Sequence, residues 1–96
     1  MTYKVIIKPS AEADLKEIYQ WYNSKKDGLG ERFIDELENK IHVLEANPES
    51  FQKRYKAIRF LLVKKFPYCI HYTVEGENVF VHAILSTSRN PKIWKG

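Results

Sequence analysis

The chain has 96 residues, of which 44% are hydrophobic, and a formal net charge of +4. This length predicts a single domain over residues 1–96, because a second hydrophobic core would need roughly 50 residues or more of its own. Cys69 is the only cysteine, which excludes an intramolecular disulfide and a cysteine-based metal cluster. A single cysteine suits the reducing cytoplasm, where we expect the protein to be located. No apolar stretch of about 18 residues is present, so we expect no membrane span.

The positive charge favours an anionic partner, and nucleic acid, the ribosome or an acidic protein would each qualify. The same charge also suits a protein that is merely soluble. Charge alone therefore leaves the class of partner open.

The first 25 residues predict a strand followed by a helix. Residues 3–7 are rich in β-branched side chains and precede a proline. Ser10 is a good N-cap, and Asp14 suits the first turn because the helix dipole favours acidic groups there. The buried stripe of this helix, at helical spacing, consists of Ala11, Leu15, Ile18 and Tyr22.

A second helix is predicted from about residue 30 to residue 46. It ends at Asn47, because a residue before proline is disfavoured in the helical region. Its apolar stripe consists of Phe33, Leu37, Ile41 and Leu44. Two helices with a short connection are expected to pack as an antiparallel hairpin.

The second half of the chain predicts three strands. Residues 48–56 form a basic connecting loop, and the strands cover residues 58–65, 68–75 and 79–86, with turns at 66–67 and 76–77. The resulting order is β-α-α-β-β-β. The fold class is therefore α+β, with an antiparallel sheet packed on one face against the helical hairpin.

Two histidines on these strands are candidate site residues. If residues 76–77 form a two-residue hairpin turn, His71 lies directly opposite His82, on the sheet face away from the helices. Paired imidazoles suit general acid–base chemistry, but a solvated sheet face also tolerates histidine. No third ligand at suitable spacing accompanies them, so we expect neither a metal nor another cofactor.

Cationic and aromatic side chains provide further candidates. Arg59, just inside a strand, could clamp a phosphate or a carboxylate, or could instead extend its charge to water, since its face is undecided. In the tail, Arg89, Lys92 and Lys95 flank Trp94. This pattern suits stacking on a nucleic-acid base and equally suits a hydrophobic latch.

The chain as a whole resembles the RelE/ParE superfamily of bacterial toxins from type II toxin–antitoxin modules, and it is closer to the ParE-like branch. The resemblance spans nearly the whole chain. The matching motifs are Ser10-Ala11-x-x-Asp14-Leu15-x-x-Ile18, Leu44-x-x-x-Pro48, Arg59, Phe66-Pro67-Tyr68-x-Ile70-x-Tyr72, Ala83-Ile84-Leu85 and Ser88-Arg89-Asn90-Pro91-x-x-Trp94.

This resemblance implies a toxin that is neutralised by a cognate antitoxin, in a possible hetero-oligomer. ParE-like members inhibit DNA gyrase and block replication without a catalytic set. RelE-like members bind the ribosome and cleave mRNA, which is the alternative. A third possibility is an inactive relative that only binds its antitoxin.

The two branches imply different site residues. For the ParE-like branch we expect the contacts with target or antitoxin to come from Arg59, Tyr68, Arg89, Lys92 and Trp94. For a nuclease, Arg59 and Arg89 would hold the phosphate, and His71 or His82 would move protons. The motif Arg89-Asn90-Pro91-x-x-Trp94 favours the ParE-like branch, because the indole of Trp94 cannot take the acid–base role of a phenol or an imidazole.

Overall fold

Two helices lie on one face of a five-stranded sheet in the computed structural model, which describes residues 2–87. A short 3₁₀ turn at Pro48–Ser50 leads from the helices into the sheet. The predicted α+β class is confirmed. In chain order the elements are β1 (Lys4–Ile7), α1 (Pro9–Lys25), α2 (Leu29–Ala46), β2 (Lys53–Tyr55), β3 (Ile58–Leu62), β4 (Tyr68–Glu75) and β5 (Asn78–Ser86).

The sheet has the strand order β1-β5-β4-β3-β2 and is mixed. β2, β3, β4 and β5 pair antiparallel, as expected for strands joined by short turns, but β1 pairs parallel with β5. No hairpin turn constrains the direction of β1, because the whole helical hairpin follows it. Within the predicted basic loop, the structure adds β2, a strand of three residues at the edge of the sheet.

The predicted apolar stripes of both helices face the inner side of the sheet. Tyr22 and Phe33 stack there with their ring centroids 5.8 Å apart, and Phe33 is fully buried. The helices approach closely at Gly30, where a Cβ atom would lie 2.7 Å from the carbonyl oxygen of Tyr19. A side chain at this position would force the two helices apart.

Ser10 does not cap α1, contrary to the sequence prediction. The N-cap position is Lys8, and Ser10 lies inside the first turn. Its hydroxyl instead donates a hydrogen bond of 2.6 Å to the carbonyl oxygen of His82 on β5. One turn later, the carboxylate of Asp14 accepts a hydrogen bond of 3.0 Å from the backbone N–H of Ile84.

These two hydrogen bonds pair backbone groups of β5 in the part of the strand that β1 does not cover. The pairing between β1 and β5 ends at Val81, so the backbone groups that follow have no partner strand on that side. Ser10 and Asp14, four residues apart and therefore on one face of α1, take the place of the missing strand. Within residues 2–87, no helix is long and apolar enough to cross a membrane.

Candidate functional site

The two histidines do not face each other, so the predicted His71–His82 pair is wrong. The turn at residues 76–77 forms as expected, and the predicted register holds from Glu75 to Tyr72. There the register shifts, and His71 pairs with Ala83. His82 is therefore the extra residue of a β-bulge, an irregularity that a turn-based register does not anticipate.

His71 lies on the outer face of the sheet but is only 6% exposed. Its ring centroid is 4.0 Å from that of Phe60 on β3. Burial lowers the pKa of His71 to about 4, and the carboxylate of Asp14 only partly offsets this effect. The imidazole is therefore neutral near pH 7, and its burial separates it from any substrate in solution.

His82 is half-exposed on the same outer face. Its Nε2 atom lies 2.8 Å from the hydroxyl oxygen of Thr73, in the neighbouring strand. Among residues 2–87, no group of three histidine, cysteine or carboxylate side chains could hold a metal ion. The geometry therefore leaves His82 as the candidate histidine that solvent and a macromolecule can reach.

The side chain of Arg59 lies on the inner face of the sheet, towards the helices. It pairs directly with Tyr72, whose side chain is fully buried beneath the helices. The guanidinium donates hydrogen bonds to the carbonyl oxygens of Glu49, at 3.2 Å, and Phe51. The charge is thus committed to the backbone that leads from α2 into the sheet.

Tyr72 binds the same segment from the adjacent strand. Its hydroxyl donates a hydrogen bond of 2.6 Å to the carbonyl oxygen of Pro48, and burial raises its pKa to about 12. We refer to Arg59 and Tyr72, with their bonds to residues 48–51, as the crossover clamp. Alternation along β4 puts Tyr72 on the same face as the buried Ile70, and the pairing of β3 with β4 places Arg59 beside it.

Tyr68 is half-buried at the start of β4. Its ring centroid lies 5.6 Å from that of Phe33, within the aromatic part of the core. Its outer side lines a cleft of about 360 Å³ beside α1, which Trp21 also lines. The remaining candidates, Arg89, Lys92 and Trp94, lie outside the described residues.

The helical side carries an apolar groove that sequence reasoning missed. It has a volume of about 680 Å³ and runs between the two helices and the edge strand β1. Ile7, Leu15 and Ile34 line it, and it continues along α2 past Ile41. The helical stripe had assigned Leu15 and Ile41 to the core, but both are only half-buried. The groove arises where β1 ends and leaves part of that stripe uncovered.

Charge is separated along the chain. Residues 9–50, which include both helices, carry ten acidic and five basic side chains, a net charge of −5. Residues 51–65 carry six basic side chains and no acidic one. Three of these cations, Lys53, Arg54 and Lys56, are exposed at β2 and the turn that follows it. We call these three residues the basic edge.

The crossover clamp predicts a stability role for Arg59. Arg59→Gln should lower the free energy of unfolding by about 1–3 kcal/mol, because two backbone carbonyl groups lose a charged donor. Lys53→Gln removes the same charge from the paired position in β2, where the side chain is exposed. This control should change stability by less than about 0.5 kcal/mol in urea unfolding. Equal effects of the two substitutions would show that the clamp contributes nothing.

His71 predicts a loss of stability in mild acid. Its pKa is near 6.5 when unfolded and about 4 when folded, so only the unfolded state binds its proton between these values. The contribution of neutral His71 is complete above pH 6.5 and is lost as the pH falls towards 4. The slope attributable to His71 should approach about 1.4 kcal/mol per pH unit within that window.

The measurement is urea unfolding at several pH values for the wild type and two variants. His71→Gln should flatten the pH dependence, whatever its effect on stability at pH 7. His42→Gln is the matched control, because the His42 side chain is 75% exposed. The interpretation fails if both variants keep the slope of the wild type.

Comparisons with known proteins agree with this fold. A family model described as the ParE toxin of the type II toxin–antitoxin system, parDE, matches residues 5–91. The fold is similar to a solved structure of the chromosomal ParDE TA system from P. aeruginosa, with a TM-score of 0.80 and 15% identity over 91% of this chain and 98% of that chain. No curated protein matches the sequence. The resemblance inferred from the motifs is confirmed, and the chain belongs to the ParE toxin family of type II toxin–antitoxin systems.

Proposed function

We propose that this toxin acts in the cytoplasm by binding and inhibiting DNA gyrase, and that a cognate antitoxin neutralises it. The observation that carries the proposal is the state of Arg59, whose guanidinium is bonded to the carbonyl oxygens of Glu49 and Phe51. A nuclease would need that charge on the scissile phosphate. Inhibition by binding requires no such group and is compatible with the clamp.

The positions of the histidines support the same choice. His71 is buried with a lowered pKa, and His82 sits at a bulge without His71 opposite it. A general acid and a general base must both reach the reacting atoms, and the described residues do not bring these two imidazoles together. Cleavage of mRNA on the ribosome remains the competing outcome of the test below.

Expression of the chain without antitoxin is expected to stop DNA synthesis before protein synthesis. Incorporation of labelled thymidine and methionine after induction measures both processes in one culture. The purified chain should also inhibit plasmid supercoiling by purified gyrase. Rapid arrest of translation with continued replication would contradict the proposal. Absence of any growth defect, with folded protein present, would indicate an inactive relative.

His82→Ala sharpens this test. As a gyrase inhibitor, the variant should remain as toxic as the wild type, because no proton transfer is involved. As a nuclease, it should lose mRNA cleavage. His71→Ala and Arg59→Ala discriminate less well, because both residues are buried or clamped and their loss weakens the fold. His42→Ala, at an exposed position of α2, is the matched control.

The apolar groove is the surface on which we propose that the antitoxin docks. An amphipathic segment can place its apolar face against Ile7, Leu15 and Ile34, which are only half-buried in the toxin alone. The groove lies beside β1, an edge strand of the sheet. It therefore offers apolar contacts and a strand edge in one place.

Ile34→Glu should prevent neutralisation while toxicity persists, because a carboxylate in the groove would have to be desolvated when the antitoxin binds. Asn39→Glu adds the same charge at an exposed position of α2 that does not line the groove. Growth after co-expression with the protein encoded beside the toxin gene is the measurement. Full rescue of the Ile34 variant would exclude the groove as the docking surface.

A further inference from the structure

We propose that the basic edge, formed by Lys53, Arg54 and Lys56, binds the phosphate backbone of duplex DNA. The inference rests on the proposed function, since gyrase works on duplex DNA and an inhibitor bound to it lies close to that duplex. It adds a second contact to the inhibited complex, one made by the toxin with the nucleic acid itself.

The separation of charge is the first support. All six charged side chains in residues 51–65 are cationic, whereas the helical part of the chain has a net charge of −5. A polyanion is therefore attracted to the basic edge and repelled by the acidic side chains of the helices. Such a field orients a protein as it approaches DNA and raises the rate of association.

The shape of the basic edge is the second support. Lys53 and Arg54 are consecutive, exposed residues of the edge strand β2, whose pairing with β3 is irregular between Lys53 and Tyr55. Lys56 follows in the turn with a positive φ of 51°, and its side chain is exposed. The three exposed cations thus lie within four consecutive residues at the rim of the sheet, close enough for one phosphate backbone to contact all of them.

The surroundings favour a nucleic acid over a protein partner. Within residues 2–87, the exposed large hydrophobic side chains are Trp21 and Leu62. Trp21 lies on α1, and Leu62 lies at the end of β3 farther from the basic edge. Protein interfaces depend on buried apolar anchors and are depleted in lysine, whereas phosphate contacts need only cations.

The same residues favour duplex DNA over a single strand. Proteins that bind single strands stack the bases on exposed aromatic rings. The aromatic residue at the basic edge, Tyr55, is half-buried, and the ammonium of Lys56 lies 5.3 Å from the centre of its ring. Arg59 offers no stacking plane either, because it is bonded to backbone carbonyl groups inside the clamp.

The test measures binding to a fluorescently labelled DNA duplex and to a single-stranded RNA of equal length, over a series of salt concentrations. One triple variant carries Lys53→Gln, Arg54→Gln and Lys56→Gln. The matched control carries Lys16→Gln, Lys25→Gln and Lys26→Gln, which removes the same charge from exposed positions in and just after α1. Gyrase inhibition by the wild type is measured separately.

Wild type and control should bind the duplex alike, and the basic-edge variant should bind at least about tenfold more weakly. Its plot of log affinity against log salt should be shallower by about 0.9 for each phosphate that the variant no longer neutralises. Equal binding by the two triple variants would overturn the inference. The basic edge would then serve only to prevent β2 from pairing with the edge strand of another toxin molecule. Preference of the wild type for the RNA, dependent on the same three residues, would also overturn it.

The separate gyrase assay distinguishes failure of this inference from failure of the proposed function. If the wild type inhibits gyrase and the basic-edge variant binds DNA normally, the function stands and the DNA contact is wrong. If the wild type does not inhibit gyrase, the proposed function fails, and the inference about its complex with DNA falls with it.

Discussion

The bulge at His82 and Ala83 determines what each side of β5 can do. On the inner side, it returns Ile84 to the core after Val81, so the helices keep a continuous apolar floor. At the edge of β5, the side chains of Ser10 and Asp14 in α1 bind the backbone of His82 and Ile84. On the outer face, the bulge moves the two histidines out of register. One inserted residue thus links helix docking to the chemistry of the opposite face.

Local sequence patterns predicted most of the helices and strands, but they did not predict the contacts between elements that are distant in the chain. Helical spacing and strand alternation located both helices and four of the five strands, because each pattern depends on a few neighbouring residues. The neighbouring sequence predicts that Ser10 caps α1, yet its hydroxyl binds the carbonyl oxygen of His82, 72 residues away. The inward direction of Arg59 likewise depends on its pairing with β4, and the bulge follows no residue signal that we can name.

The strand order separates the two surfaces of the toxin. The apolar groove adjoins β1 at one edge of the sheet, and the basic edge is β2 at the other. Four strand spacings lie between them, roughly 19 Å at the usual distance between strands. A small partner in the groove therefore leaves the opposite rim uncovered. An antitoxin that covers both must extend around the sheet or act by removing the toxin from its target.

The parallel pairing of β1 with β5 also constrains when the chain can fold. β1 pairs with β5, which comes about 70 residues later in the chain. β5 also pairs with β4, on its other side. During synthesis the helical hairpin emerges early, but the sheet beneath it stays incomplete until β5 has left the ribosome. We therefore expect the chain to be harmless while it is being translated and to acquire its binding surfaces almost at once at the end.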